Sequence, residues 1–163
     1  MASSAPAADL SPLTDTQRSA VKESFALADA LAASLAGDDL EGFNNHAAQA
    51  HDVATALFGA FTNSVSWLPL VKEVEAASHL AKVADLKEAR RSFYPLSAAT
   101  VALAQPARRS NNAFTELKVF RCPMTKDSFP GAPNRAEWIQ LQPEVRNPWF
   151  GAEMLDCGSE VRP

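Results

Sequence analysis

Along the first hundred residues, alanine and larger apolar side chains recur every three or four positions, and only Gly37, Gly42 and Gly59 interrupt the pattern. That period puts the apolar positions on one face of an α-helix, whereas a half-buried strand alternates every two residues. Each such helix must bury its stripe against another element, so this part of the chain is directed to a helical assembly.

Thr14 followed by Gln17 is a capping-box signature. Beyond it Val21, Phe25, Ala28, Ala32 and Leu35 form one stripe and Gly37 is a natural stop, which predicts a helix over 15–36. Asp38 or Asp39 can cap a second helix over 39–61, with its stripe running from Leu40 through Phe43, Ala47, Ala50, Ala54 and Leu57 to Phe61. After a polar turn at 62–66, a third helix is expected over 67–83. Its apolar residues cover more than one face, so it should touch two neighbours. Asp85 and Glu88 offer another cap, and Leu86, Ala89, Phe93, Leu96, Thr100 and Leu103 give a fourth helix over 86–104. Pro95 should kink or split that helix, and Pro106 should end the helical half. Four amphipathic helices with short connections predict a mainly α fold, an antiparallel four-helix bundle.

The length of 163 residues suits one domain, and 47% hydrophobic residues suffice for a core. A net charge of -4 argues against a nucleic-acid partner, which needs a basic face. The doublets Arg90-Arg91 and Arg108-Arg109 are short and read as solvated helix surface. No apolar run approaches the roughly 20 residues that span a bilayer, so no direct membrane insertion is expected. Residues 1–13, rich in Ala, Ser and Pro, lack the basic and apolar regions of a signal peptide and read as a flexible lead-in or linker. Residues 14–163 then form a single helical-bundle domain.

The last fifty residues differ in kind. They hold three of six Gly, six of eleven Pro, both Cys and two of three Trp. Phe114 to Arg121 alternates as a short strand, and 125–136 reads as a loop. Asn147-Pro148 is a good helix start and Gly158 a good stop in αL geometry, which predicts a short helix over 148–156. Trp138, Trp149 and Phe150 should anchor this segment on the bundle.

Four sulfur side chains stand out: Cys122, Met124, Met154 and Cys157. In Cys122-Pro123-Met124 an extended backbone sends both sulfurs to one side. Met154 and Cys157, three apart, would share one face of the short helix. Thiolate and thioether together suit soft ions, copper(I) first and silver(I) next. Spacing alone leaves a second reading open. A Cys122–Cys157 disulfide would close a loop of about 36 residues, worth roughly 3–4 kcal/mol in the chain-entropy model, with the methionines filling core.

The segment 114–158, with CPM at 122–124 and NPWFGAEMLDCG at 147–158, resembles an uncharacterised domain appended to the C-terminus of periplasmic adaptor subunits, the membrane-fusion proteins of heavy-metal resistance-nodulation-division efflux pumps. The likeness falls on Cys122, Pro123, Met124, Trp138, Asn147, Pro148, Gly151, Met154, Cys157 and Gly158. Arg90, Phe93, Leu96 and Ser97 fit the helix of that family as well. The family's His-containing segment before the third helix is lacking here, where the chain reads NSVSWLP. The resemblance implies a periplasmic location, a copper(I) or silver(I) cargo, and an efflux-pump adaptor or inner-membrane pump subunit as partner. It tips the balance between the two readings towards metal.

The remaining candidates are weaker. His46 and His51 do not share a helix face well and His79 stands alone, so each reads as a surface or satisfied core histidine. The sequence has no phosphate-binding glycine loop, no HExxH and no nucleophile elbow, and no His in sequence is placed to support Cys122 as a nucleophile. The chain is therefore expected not to be an enzyme.

Overall fold

The computed structural model describes residues 10–110 and 112–162. Over these residues the chain forms helices α1 (Asp15–Ala36), α2 (Leu40–Ala60), α3 (Leu68–Ala77) and α4 (Leu86–Ser110). Three short strands follow: β1 (Lys118–Cys122), β2 (Ala136–Gln140) and β3 (Ser159–Val161). Single 3-10 turns lie at Asn112–Phe114 and Gly151–Glu153. The fold is mainly helical with a small antiparallel sheet of order β2-β1-β3.

The helix starts follow from their caps. Thr14 Oγ1 accepts from the Gln17 N–H at 3.2 Å while Gln17 Oε1 accepts from the Thr14 N–H at 3.0 Å, completing the capping box of α1. Asp39 caps α2 by accepting from the Gly42 N–H at 2.8 Å. Helix α1 packs on α2 and α4, and α3 packs on both α2 and α4. Their apolar faces share one core in which Phe43, Phe61, Trp67, Phe93 and Leu103 are fully buried. Strand β2 lies against α4 and α1, and the buried Ser97 hydroxyl of α4 donates to the Glu137 carbonyl of β2 at 2.7 Å.

Several expectations are corrected. Helix α3 stops at Ala77 rather than 83. The Ser78 hydroxyl turns back to the Glu75 carbonyl at 2.6 Å. The Asn44 side chain of α2 bonds both the N–H and the C=O of Val83 at 3.0 Å, which draws residues 79–83 across α2 without helix. Helix α4 runs to Ser110, past the expected 104. Neither Pro95 nor Pro106 ends it. Phe93, Leu96, Ala99, Leu103 and Ala107 stay buried across both prolines, and that continuous face offsets the cost of the lost backbone bonds, about 3 kcal/mol for an interior proline. The loop expected over 125–136 ends one residue sooner, because Ala136 opens β2 opposite Cys122. Phe114 belongs to a 3-10 turn, so the strand begins at Lys118. The chain is also already packed before residue 14: Leu13 is buried, and the Ser11 carbonyl accepts from Trp67 Nε1 at 2.7 Å. The rest of the expected lead-in, residues 1–9, lies outside the described residues.

The short helix over 148–156 is replaced by the turn at Gly151–Glu153. Gly151 takes φ +59, which interrupts any right-handed helix, and the Asn147 N–H bonds across the loop to the Leu155 carbonyl at 2.8 Å. Gly158 consequently has no helix to stop. It takes φ +153 rather than αL, where it passes so close to Trp138 that a Cβ would lie 2.9 Å from the indole. Trp138 and Trp149 are fully buried as anchors, while Phe150 is only half-buried.

Candidate metal centre

Cys122 is the last residue of β1 and is fully buried. Strand β3 pairs antiparallel with β1, its last register being Arg121 opposite Ser159. Continuing that ladder one step sets Cys122 beside Gly158, and Cys157 follows directly. The two sulfurs lie 3.5 Å apart, and both thiols are free. Burial first, and then the neighbouring Cys122 sulfur, push the Cys157 thiol above its ordinary pKa.

The turn that carries Cys157 is fixed by Asn147, which is fully buried. Its side-chain N–H donates to the Cys157 carbonyl at 2.8 Å and its side-chain oxygen accepts from the Trp149 N–H at 2.8 Å. Its backbone carbonyl accepts from the Gly151 N–H at 3.0 Å. The Cys157 N–H in turn donates to the Met154 carbonyl at 3.0 Å, so Met154 and Cys157 share one turn. Trp149 pins this loop to α4. Its ring lies 5.7 Å from Phe93, 5.9 Å from Tyr94 and 6.0 Å from Phe129.

Arg90 completes the support and corrects its reading as solvated surface. It is 7% exposed. Its guanidinium donates to the carbonyls of Pro148 (2.8 Å) and Leu35 (3.2 Å) and to Asp38 Oδ1 (2.7 Å). Asp38, at φ +53, also accepts from the Ala152 N–H at 3.0 Å through its other oxygen. A Cβ on Gly151 would lie 2.0 Å from Asp38 Oδ1, so this position requires glycine. Arg108 also leaves the solvated category, donating to the Val161 carbonyl at 3.2 Å; burial lowers its pKa. Arg91 does remain exposed, paired with Glu88.

Of the four sulfur residues, the structure thus brings the two cysteines together and sets Met154 in the turn of Cys157. It leaves Met124 largely in solvent, 53% exposed. Sequence reasoning missed Asp38 and misread Arg90, whose partners lie 52 to 58 residues away. It also treated His51 and His79 separately, although their rings meet at 4.3 Å. Comparison with protein-family models, curated proteins and solved structures finds no match.

Proposed function

We propose that this chain is a soft-metal binding module that takes copper(I), or silver(I), at Cys122 and Cys157 with help from Met154 and Met124, on an antiparallel four-helix-bundle scaffold. The observation that carries this reading is the 3.5 Å approach of two free cysteine sulfurs, one held by the sheet and the other by the Asn147 hydrogen bond. With metal–sulfur bonds of about 2.3 Å, as for zinc thiolates, two sulfurs on one ion lie about 3.8 Å apart in tetrahedral and 4.6 Å in linear geometry. The pair needs to open only a little. Met154, in the same turn as Cys157, is the further soft donor nearest that cysteine along the chain. Exposed Met124, two residues from Cys122 in the chain, offers an arriving ion a thioether at the surface. The raised pKa of Cys157 keeps it protonated at neutral pH, which suits a ligand that exchanges its proton for metal and disfavours a thiolate nucleophile. The motif resemblance adds the periplasmic setting and an efflux-pump subunit as the receiver of the ion. No described helix is long and apolar enough to cross a membrane.

The same approach of the sulfurs supports one rival, a Cys122–Cys157 disulfide that staples the C-terminal segment without metal. Anaerobic titration of the reduced protein with copper(I) against a competing chelator separates them. Binding of one equivalent is expected. Cys122→Ser and Cys157→Ser should each weaken it more than about 100-fold, beyond the range typical of outer-shell residues, and Met154→Leu or Met124→Leu about tenfold. Unchanged affinity in the double cysteine variant would discard the metal reading and leave the staple.

A further inference from the structure

On α2 and the end of α3, three potential ligands meet that the sequence does not place together. His51, Glu75 and His79 each offer one ligand atom, and these atoms all lie within 4.8 Å of one another. Glu75 Oε1 lies 4.0 Å from His51 Nδ1 and 3.7 Å from His79 Nε2. The two imidazole rings face each other at 4.3 Å with 33° between their planes.

The fold builds this meeting. Glu75 lies in the last turn of α3, and His79 follows the C-cap Ser78, which is 1% exposed. The Ser78 hydroxyl donates to the Glu75 carbonyl at 2.6 Å and its oxygen lies 3.4 Å from His51 Nδ1, so this buried residue seats the end of α3 against α2 at the site. Asn44 and His51 are seven apart on α2, two turns along one face. Asn44 grips Val83 and so holds the non-helical segment of His79 over the face that presents His51.

We propose that His51, Glu75 and His79 form a second metal site, for a borderline divalent ion of the zinc(II) and copper(II) class. Two imidazoles and one carboxylate suit such ions and not copper(I). Bonds of about 2.0–2.2 Å put ligand atoms on one tetrahedral ion about 3.3–3.6 Å apart. The Glu75 oxygen stands 3.7 Å from one histidine nitrogen and 4.0 Å from the other, so the ligands need only draw in slightly. The histidine side chains are 50% and 61% exposed, free to close the rest, and water completes the coordination. The site shares no residue with the cysteine pair, so either can fail without the other.

Cobalt(II) and zinc(II) titrations of the reduced wild-type protein test it. One equivalent of cobalt(II) should bind with a spectrum that lacks sulfur-to-metal charge transfer, and zinc(II) should displace it. His51→Ala and His79→Ala should each weaken zinc(II) binding more than about 100-fold, beyond the 10–100-fold typical of an outer-shell residue. Both side chains are exposed, so both variants should keep the fold, which circular dichroism checks. His46→Ala, a histidine of α2 outside the cluster, should leave this binding unchanged. No binding, or binding indifferent to the histidines, would overturn the proposal; a sulfur charge-transfer band lost with Cys122 reports the cysteine pair instead.

Discussion

Among the four helices, backbone groups are satisfied within each element and the contacts between elements are mostly apolar, with Phe43, Phe93, Leu57 and Leu103 at or below 1% exposure. From Cys122 to Gly158 the balance reverses. Short strands and one 3-10 turn leave many backbone groups to be satisfied singly, and side chains do it: buried Asn147 for Cys157 and Trp149, buried Arg90 for Pro148, and exposed Asp38 for Ala152. An apolar interface tolerates approximate shapes, because it is non-directional. A network of charged and amide groups tolerates little, since removing one member strands its partners without water. The region that holds the sulfur pair is therefore the more exacting of the two, as a site with fixed ligands requires.

The largest test of that contrast is Arg90→Ala. It removes a buried guanidinium and leaves the buried Pro148 and Leu35 carbonyls without their donor, while the exposed Asp38 carboxylate turns to water. A loss of about 2–4 kcal/mol is expected in urea unfolding, from two stranded carbonyls. A cost below about 1 kcal/mol, that of an exposed pair, would show that the C-terminal loop does not depend on this network.

Two glycines compare the regions directly. Gly151→Ala meets Asp38 and must hold φ +59, so it should cost about 1–3 kcal/mol in strain alone. Gly59 in α2 faces open space, with nothing within 4 Å of where a Cβ would stand, and Gly59→Ala should stabilise by about 0.5–1 kcal/mol. Thermal melts of the two variants should move in opposite directions. Between these effects in size lies the pH dependence of copper(I) binding. Because Cys157 titrates above its ordinary range, binding must release its proton. Affinity should then rise at least about tenfold per pH unit between pH 6 and 8, equivalent to about 1.4 kcal/mol per unit. A flat profile in chelator competition would remove Cys157 from the ligand set.

The same contrast decides what could be read in advance. Helix α1 was legible to the residue because Thr14, Gln17 and Gly37 are local signals within one element. The cysteine pair was legible as a motif, yet its geometry depends on β3, three residues long and without a periodicity of its own. Pro106 misled because its local cost is visible and the burial that outweighs it is tertiary. Arg90 misled for a related reason: a charge on a helix is surface by default, and only the fold supplies Asp38 and Pro148. Asn147 promised a helix cap and became a loop clamp, since the same side-chain geometry serves both.

The smallest expected effect sits where the two regions touch. Asp29 of α1 is half-buried, and its Oδ1 accepts from the Leu141 N–H, just beyond β2, at 3.0 Å. Burial raises its pKa, opposed by the Leu141 hydrogen bond and by Arg146. The folded state therefore holds this proton more tightly than the unfolded chain. The stability it contributes is full below the unfolded value of about 3.9 and is lost as pH rises through the folded one. Asp29→Asn keeps an acceptor for Leu141 and removes the charge. Across urea midpoints measured from pH 4 to 7, the variant should lose less stability with rising pH than the wild type, while matching it near pH 4. An unchanged slope would mean that the Asp29 charge is solvated, and that this seam behaves like the open surface of the helices rather than like the network around Asn147.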